Sequence, residues 1–356
     1  MSHWVTQGPR VEEFEKKFAA AVGAKYAVAV SSCTTALHLS LMVSGIGEGD
    51  EVICPSLSYI ATANAVTHVR AKPVFAEVDP LTYNLDPRHA LTLITRRTKA
   101  ILVVHQMGLP ADLHAFEKIC AKHDLTLIED AACAVGSVYR GEKIGSRSVL
   151  ACFSFHPRKI ITTGDGGMIT THHEKYCRRL KRLRQHGMST SDSVRHRSDR
   201  LVFEEHLEIG YNYRMTDLQA SVGLPQLNKL DGIVFERRKI AKQYGEALNE
   251  EKFLRLPSEP EGCRGNYQSY PLYVRKESPV SRDALMKKLW RQGISTKRGI
   301  LTAHREPAYR RLFKNLTLPV SEDASDRSLL IPLYVPMAKK DINTVIRGIR
   351  SALRGK

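Results

Sequence analysis

The stretch that decides the fold of this chain is Ser154-Phe155-His156-Pro157-Arg158-Lys159, which continues as Ile160-Ile161-Thr162-Thr163-Gly164-Asp165-Gly166-Gly167-Met168. It places Lys159 at the end of an apolar run, Val149–Phe155, just before a glycine-rich turn. We expect a lysine in this position to lose part of its hydration, which disfavours the ammonium form and lowers its pKa. A partly neutral amine can condense with an aldehyde to form a Schiff base. The alternative is a surface lysine in a turn, and the rest of the chain must decide between the two.

The length and composition indicate a globular protein with two domains. A chain of 356 residues can bury a large core. It contains no apolar run long enough to cross a bilayer, and Met1–Pro9 lacks the features of a secretory signal, so no membrane partner is expected. The seven cysteines form no CxxC pair, which favours a reducing cytoplasm.

The formal net charge of +17 could indicate nucleic acid, an anionic membrane or anionic small substrates. Much of the charge lies in Arg178–Arg184 and in Arg195–Arg197. Within the first run Tyr176, Leu180 and Leu183 recur at helical spacing, which is typical of a helix with a solvated basic face. No zinc-finger, RRM or KH signature is present, so we expect no nucleic-acid partner, and a nucleotide diphosphate fits the charge better.

The first half of the chain alternates β-rich runs with helical patterns. The predicted strands are Tyr26–Ser32, Glu51–Pro55, Lys72–Val78, Lys99–His105 and Leu125–Asp130, and the predicted helices are Thr35–Ser44, Ile60–Val69, Pro87–Ile94 and Asp112–His123. This alternation predicts βαβ units and a mostly parallel sheet, which binds ligands beyond the carboxyl ends of its strands.

The pattern changes from about Asp217. Helices are predicted at Leu218–Ile233, Arg237–Leu248, Arg282–Gln292 and Lys339–Leu353, and strands at Tyr270–Val274 and Leu329–Leu333. We therefore predict a large domain, residues 1–234, and a smaller α+β domain, residues 235–356.

Four further segments place reactive or polar side chains at predicted strand ends or in loops. Leu127–Ala132 ends a strand in Asp130, which either meets a ligand or caps the next turn, while Glu129 points to the other side of the strand. Ser31–Leu39 leads a strand into a helix N-terminus, which suits an anion or is simply an N-cap. Pro55–Asn64 carries Tyr59, which either meets a ligand or packs in the core. Gly210–Ala220 carries Asn212, which either binds a ligand or is an ordinary loop residue before the next helix.

Together the five segments resemble the DegT/DnrJ/EryC1/StrS family of sugar aminotransferases, and the resemblance runs from Trp4 through the terminal helix. It implies the α/β fold of the fold type I pyridoxal 5′-phosphate (PLP) transferases: a mostly parallel, seven-stranded central sheet in a large domain, with a smaller C-terminal α+β domain. It also implies that Lys159 attaches PLP as a Schiff base and then moves a proton as base and acid.

The family's other roles transfer to matching residues of this chain. Asp130 would pair with the pyridinium nitrogen and Tyr59 would stack on the ring. The cofactor phosphate would be bound by Thr34, Thr35, Ser154 and, across the interface of a homodimer with composite active sites, Asn212 of the other subunit. Arg214 is a weaker candidate for binding an anionic substrate group, and His156 is interpreted as structural.

Three residues depart from the family pattern. Cys33 replaces a glycine, which would be strained if the position needs positive φ. Cys133 replaces a Gln, His or Glu that can meet the cofactor's 3′-oxygen, and a thiol is a weak hydrogen-bond partner. Asp165 stands where Glu is usual.

The resemblance implies transfer of an amino group from L-glutamate to a keto group of a nucleotide-linked sugar, in amino-sugar biosynthesis for a polysaccharide or an antibiotic. The lysine at position 159 argues against a dehydratase activity, because the dehydratases of this family have a histidine at the corresponding position. Asp79–Asp86 and Ser58–Asn64 are similar to perosamine-type enzymes, which favours C4 of a 6-deoxy sugar, with substrate contacts from Arg298–Tyr309. A 3-keto-sugar or cyclitol aminotransferase and a catalytically idle regulatory or partner protein with the PLP fold stay open.

Overall fold

The computed structural model of the chain describes residues 4–190, 195, 199 and 201–354. Of the second basic run noted in the sequence, His196 and Arg197 lie outside the described residues.

A seven-stranded sheet forms the centre of the first two thirds of the chain. Its strands are β1 (Tyr26–Val30), β2 (Glu51–Pro55), β3 (Lys72–Ala76), β4 (Thr98–Val104), β5 (Thr126–Asp130), β8 (Leu150–Ser154) and β9 (Gly167–Thr171). Their order is β1-β9-β8-β5-β4-β2-β3. Strand β9 runs antiparallel to β1 and β8, and the other pairings are parallel. The predicted mostly parallel sheet is confirmed, whereas the reversed direction of β9 was not visible in the sequence.

Helices cover both faces of this sheet. They are α1 (Pro9–Val22), α2 (Cys33–Val43), α3 (Ala61–His68), α4 (Pro87–Thr92), α5 (Leu113–His123) and α6 (Glu174–Leu183), with a 3-10 turn at Gln106–Gly108. Neighbouring strand residues enter opposite apolar clusters: Ile53 belongs to the cluster that includes Phe14 of α1, and Val52 belongs to the cluster that includes Leu37 of α2. This follows from the alternation of side chains along a strand. The sheet is therefore buried on both faces, as parallel sheets require.

Strand β1 ends two residues earlier than expected because Ser32 starts the next helix. The Ser32 side chain accepts a hydrogen bond from the Thr35 N–H, and the Thr35 side chain accepts one from the Ser32 N–H, which is a capping box. Helix α2 consequently begins at Cys33, directly beyond the carboxyl end of β1.

A second, antiparallel sheet lies in the last third of the chain. Its strands are β10 (Leu254–Arg255), β12 (Tyr270–Val274), β13 (Lys297–Arg298) and β14 (Ser328–Ile331), in the order β10-β12-β14-β13. The helices here are α7 (Asp217–Asn228), α8 (Leu230–Leu248), α9 (Arg282–Arg291), α10 (Pro319–Arg327) and α11 (Lys339–Leu353), with a 3-10 turn at Ala303–Arg305. Three short strands, β6 (Val138–Tyr139), β7 (Glu142–Lys143) and β11 (Cys263–Arg264), form a separate small sheet.

The second sheet has its own apolar cluster, which includes Tyr244 of α8 and Leu272 of β12. The domain boundary expected at residue 234 falls inside α8, so the proposed division into residues 1–234 and 235–356 stays a prediction.

The chain after β13 returns to the carboxyl end of β2. Ser58 N donates to Leu301 O at 3.2 Å, and Ala303 N donates to Ser56 O at 2.8 Å. These bonds fix the loop that carries Tyr59 against the segment after β13. As a result, the second sheet is tied to the edge of the central sheet where ligands are expected. Among the described residues, no helix combines the length and the apolarity that crossing a bilayer would need.

Candidate active site

The ends of β1 and β8 meet on either side of Gly167. Val30 and Ser154 both pair with Gly167, the first residue of β9. A Cβ atom at Gly167 would collide with the Ser32 carbonyl group and lie 2.8 Å from Cys33 N. Glycine therefore lets the backbone of β9 approach the start of α2, and it brings Ser154 to the same place.

The N-terminus of α2 has free backbone donors, because the first N–H groups of a helix lack intrahelical partners. The Thr35 hydroxyl donates to Ser32 O at 2.8 Å, so its proton is used within the cap. The Thr34 side chain forms no hydrogen bond with another described residue. Thr34 is therefore the freer of the two predicted anion ligands, and the helix dipole adds to the attraction.

Cys33 is the first residue of α2 and does not adopt positive φ. Its thiol is buried and donates to Cys152 O at 3.5 Å. The backbone strain that a cysteine with positive φ would cause is therefore absent at Cys33.

Asp130 ends β5 and is 6% exposed. The Thr62 hydroxyl donates to its Oδ2 at 2.8 Å, and Ala132 N donates to its Oδ1 at 3.2 Å. Burial raises the pKa of Asp130 above its usual value, although both hydrogen bonds and the charge of Lys159 oppose the change. A carboxylate in this environment gains free energy from a cationic partner, such as a protonated ring nitrogen.

Thr62 is a site residue that the sequence reasoning missed. The hydroxyl groups of Ser58 and Thr62 are 2.7 Å apart, so a short chain of hydroxyls leads from the loop after β2 to Asp130. The available signal was two hydroxyl residues four positions apart, at the start of the helix that follows Tyr59.

Glu129 lies on the opposite side of β5 from Asp130, as the strand period predicts. His105 Nε2 is 2.9 Å from Glu129 Oε2, and the Ser148 hydroxyl donates to the other carboxylate oxygen. Ala111 N donates to His105 Nδ1 at 3.0 Å, which assigns the imidazole proton to Nε2. Because His105 N also donates to Asp130 O at 3.1 Å, this buried network steadies the strand end that carries Asp130.

Lys159 lies after a turn in which its N–H donates to His156 O at 2.9 Å. His156 Nδ1 accepts a hydrogen bond from Arg158 N at 3.2 Å, which supports the structural interpretation of His156. The Lys159 Nζ donates to Cys133 Sγ at 3.2 Å.

The pKa of Lys159 differs from the sequence-based expectation. Burial lowers the pKa of Lys159, but the contact with Cys133 and the nearby carboxylate of Asp130 raise it, and the net result lies above the usual value. The predicted net decrease is therefore wrong for this arrangement, because the sulfur of Cys133 and the carboxylate of Asp130 approach the amine only in the folded chain.

Tyr59 and Asn212 are exposed. Tyr59 is 73% exposed beside the start of α3, which rules out a core tyrosine. Asn212 pairs through its backbone with Gln185, and its side chain forms no hydrogen bond with another described residue. The flanking Tyr211 and Tyr213 rings stack at 4.9 Å, which fixes the segment.

The structure thus brings Asp130, Cys133, Lys159 and the start of α2 together at one sheet edge, with Ser154 beside α2. Asn212 is turned outward. These groups fit PLP: a helix N-terminus and hydroxyls for a phosphate, an amine for an aldehyde, and a buried carboxylate for a ring nitrogen. The fold and the site together define a PLP-dependent transferase of fold type I.

Comparisons with known proteins narrow the class. Residues 1–350 match the DegT/DnrJ/EryC1/StrS aminotransferase family. The uncharacterized protein MJ1066 of Methanocaldococcus jannaschii is 38% identical over 352 residues, which cover 98% of this chain and 91% of that protein. The aminotransferase TlmJ from Streptoalloteichus hindustanus superposes with a TM-score of 0.91 at 34% identity, covering 99% of this chain and 93% of that chain. The PLP-form of the putative sugar aminotransferase Spr1654 from Streptococcus pneumoniae superposes with a TM-score of 0.92 at 25% identity, covering 99% and 93%.

The chain belongs to the DegT/DnrJ/EryC1/StrS aminotransferase family, and its structural neighbours are PLP-dependent sugar aminotransferases.

Proposed function

We propose that this enzyme transfers the amino group of L-glutamate to the C4 keto group of a nucleotide-linked 6-deoxy sugar. The observation that carries the proposal is the meeting of Lys159, Asp130 and the start of α2 at one edge of the sheet, beside unpaired cations. The first three groups serve amino transfer in general. The cations bear on the identity of the substrate.

Each residue of the proposed site has a physical role. PLP, when bound, supplies an aldehyde that carries the amino group and a ring that withdraws electrons. Lys159 binds the aldehyde and, when released, moves a proton at Nζ. Asp130 holds the ring nitrogen protonated, and the exposed Tyr59 ring packs against the cofactor ring. Thr34, Thr35 and Ser154 contribute hydroxyl or backbone donors to the phosphate.

Cationic side chains rim the proposed site. Arg158 immediately precedes Lys159 and is exposed, and its carbonyl group accepts a hydrogen bond of 3.0 Å from Gln268 Nε2. On β13, burial and the nearby charge of Arg158 lower the pKa of Lys297. Neither cation pairs with a carboxylate among the described residues. Two neighbouring cations without a partner favour a diphosphate, which supports a nucleotide-linked sugar over an uncharged cyclitol.

A homodimer with composite sites is part of the proposal. The segment before Asn212 exposes the large apolar side chains Leu201, Phe203, Leu207 and Ile209, of which Phe203 is 80% and Ile209 87% exposed. Several large apolar side chains exposed within one short segment make that segment a candidate protein interface. Burial of this segment against a second copy would bring Asn212 to the phosphate of the other subunit.

The basic side chains of α6 do not support binding to a nucleic acid or a membrane. Its cations pair within the subunit: Arg179 and Arg182 with Glu208, and Lys181 with Glu15. Neutralised side chains release few counterions on a nucleic acid, so we propose no nucleic-acid partner and no membrane partner. All seven cysteines are free thiols, which supports a reducing cytoplasm.

The alternative of a catalytically idle protein was favoured by two departures from the family pattern, Cys33 and Cys133. Cys33 causes no backbone strain, so it no longer favours that alternative. Cys133 is the remaining departure. A protein of this fold without catalytic activity would have no need of both Lys159 and Asp130, so we prefer the proposal of an active enzyme.

A substrate screen tests the proposal. The purified protein is incubated with PLP, ¹⁵N-labelled L-glutamate and a panel of nucleotide-linked 3-keto and 4-keto sugars and cyclitol ketones, and products are identified by mass spectrometry. We expect the labelled amine on a 4-keto-6-deoxy sugar. Conversion of a cyclitol ketone alone would reject the substrate class, and absence of any exchange with glutamate would favour the idle protein.

A further inference from the structure

The contact between Lys159 and Cys133 is anchored on both sides. Asn266 Nδ2 donates to Cys133 O and to Val135 O, each at 2.8 Å, and this fixes the backbone that carries the thiol. Gly108 allows that backbone to pack closely, since a Cβ atom there would lie 3.0 Å from Cys133 O. The distance of 3.2 Å between Nζ and Sγ therefore joins two positioned groups.

Three titratable groups surround the Lys159 amine: Cys133, Cys33 and Asp130. Arg158 precedes it in the chain. Burial raises the pKa of Cys33 well above its usual value, so that thiol stays neutral. Asp130 accepts hydrogen bonds from Thr62 and Ala132. Among the described residues, Cys133 is consequently the titratable group that Lys159 Nζ contacts by a hydrogen bond.

We propose that Cys133 is a positioning residue for Lys159: its sulfur holds Nζ as an ammonium group before the cofactor is attached, and so sets the pH at which the amine becomes reactive. A hydrogen bond that Sγ accepts from Nζ favours the ammonium form over the neutral amine. Raising the pH removes one proton from Nζ to the solvent and leaves the neutral amine. Only the neutral amine can attack an aldehyde carbon.

Amine labelling measures this directly. The full-length protein, freed of PLP, is treated with acetic anhydride across a pH series, and acetylation of Lys159 is quantified by peptide mass spectrometry. Cys133→Ala removes the sulfur that accepts this hydrogen bond, so the pH midpoint of labelling should fall by about one unit. Cys263→Ala is the matched control, because Cys263 is the other half-buried cysteine, and its midpoint should equal that of the wild type. An unchanged midpoint in Cys133→Ala would overturn the proposal.

The rate of PLP attachment is the second readout. At pH 7 the visible absorption of attached PLP should develop about tenfold faster in Cys133→Ala than in the wild type, as a one-unit shift in the pKa of Lys159 requires. A rate equal to or below that of the wild type would also overturn the proposal. Near-UV circular dichroism checks the fold of both variants. Labelling needs neither glutamate nor a sugar, so failure of the proposed substrate would leave its outcome readable.

Discussion

The Thr62 hydroxyl donates a 2.8 Å hydrogen bond to the buried carboxylate of Asp130. This bond joins the first turn of α3, which follows Tyr59, to the end of β5. Two residues 68 positions apart in the chain thereby share control of the charge that we propose to face the ring nitrogen of the cofactor.

The first prediction concerns this bond and pH. Burial raises the pKa of Asp130, so the folded protein holds that proton to higher pH than the unfolded chain, and the contribution of Asp130 to stability declines as pH rises through this window. Thr62→Val removes a bond that favours the carboxylate and raises the pKa further. The acidic limb of the kcat profile should therefore move to higher pH, and the free energy of unfolding should fall by about 1–3 kcal/mol.

Thr62→Ser is the control, because it keeps the hydroxyl donor. Its pH–rate profile should overlay that of the wild type. If Thr62→Val also overlaid the wild type, Thr62 would have no influence on Asp130.

The second prediction concerns Lys159. Lys159→Ala removes the amine that binds the aldehyde, so incubation with PLP should give no visible absorption band that borohydride can fix. Amination should fall by about a thousandfold or more, because proton transfer at Nζ is also lost. Lys122→Ala, an exposed lysine on α5, should retain both properties. A borohydride-fixable band in Lys159→Ala would show that another amine binds PLP.

The third prediction concerns the close approach of β9 to α2. Gly167→Ala forces a Cβ atom against the Ser32 carbonyl group, so it should lower the free energy of unfolding by about 1–3 kcal/mol and weaken PLP binding. Urea unfolding and PLP titration measure the two effects. At Gly47 a Cβ atom would meet nothing within 4 Å, so Gly47→Ala should change neither. Wild-type PLP affinity in Gly167→Ala would mean that the phosphate does not bind at this helix terminus.

The fourth prediction concerns the composite site. Lys159→Ala and Asn212→Ala homodimers should each be nearly inactive. After the two variants are mixed under subunit exchange, about half of the dimers are hybrids, and each hybrid has one intact site of two. Activity should therefore recover to about a quarter of the wild-type value. No recovery, with hybrids demonstrated by mass spectrometry, would place Asn212 in the site of its own subunit.

The fifth prediction concerns the cationic rim. Arg158→Ala and Lys297→Ala should each raise KM for a nucleotide-linked sugar about tenfold, because each removes one charged contact to a diphosphate, while PLP attachment stays at the wild-type level. The effect should shrink as salt is added. Lys340→Ala, on the terminal helix, should leave KM unchanged. A KM increase for glutamate alone would assign the rim to the amino donor.

The sequence was sufficient for strands β1 to β5 of the central sheet and for the helices between them, because β-rich runs and amphipathic patterns are local signals. It was also sufficient for the polar end of β5 at Asp130, whereas β1 ends at Val30 and Ser32 caps the next helix. It did not predict the antiparallel direction of β9, since strand direction depends on which neighbours pair. It missed Thr62 for a similar reason, because a threonine in the first turn of a helix has no local mark that it will face a distant carboxylate.

By itself, the sequence determined which chemical groups stand at the ends of strands: an amine at Lys159, a carboxylate at Asp130 and an aromatic ring at Tyr59. Only the tertiary structure decided the electrostatic state of those groups. Cys133 is 26 residues from Lys159 in the chain, yet its sulfur contacts Nζ and raises the pKa that burial alone would lower. Residue identity is a local property, whereas charge stabilisation depends on distances that packing alone sets.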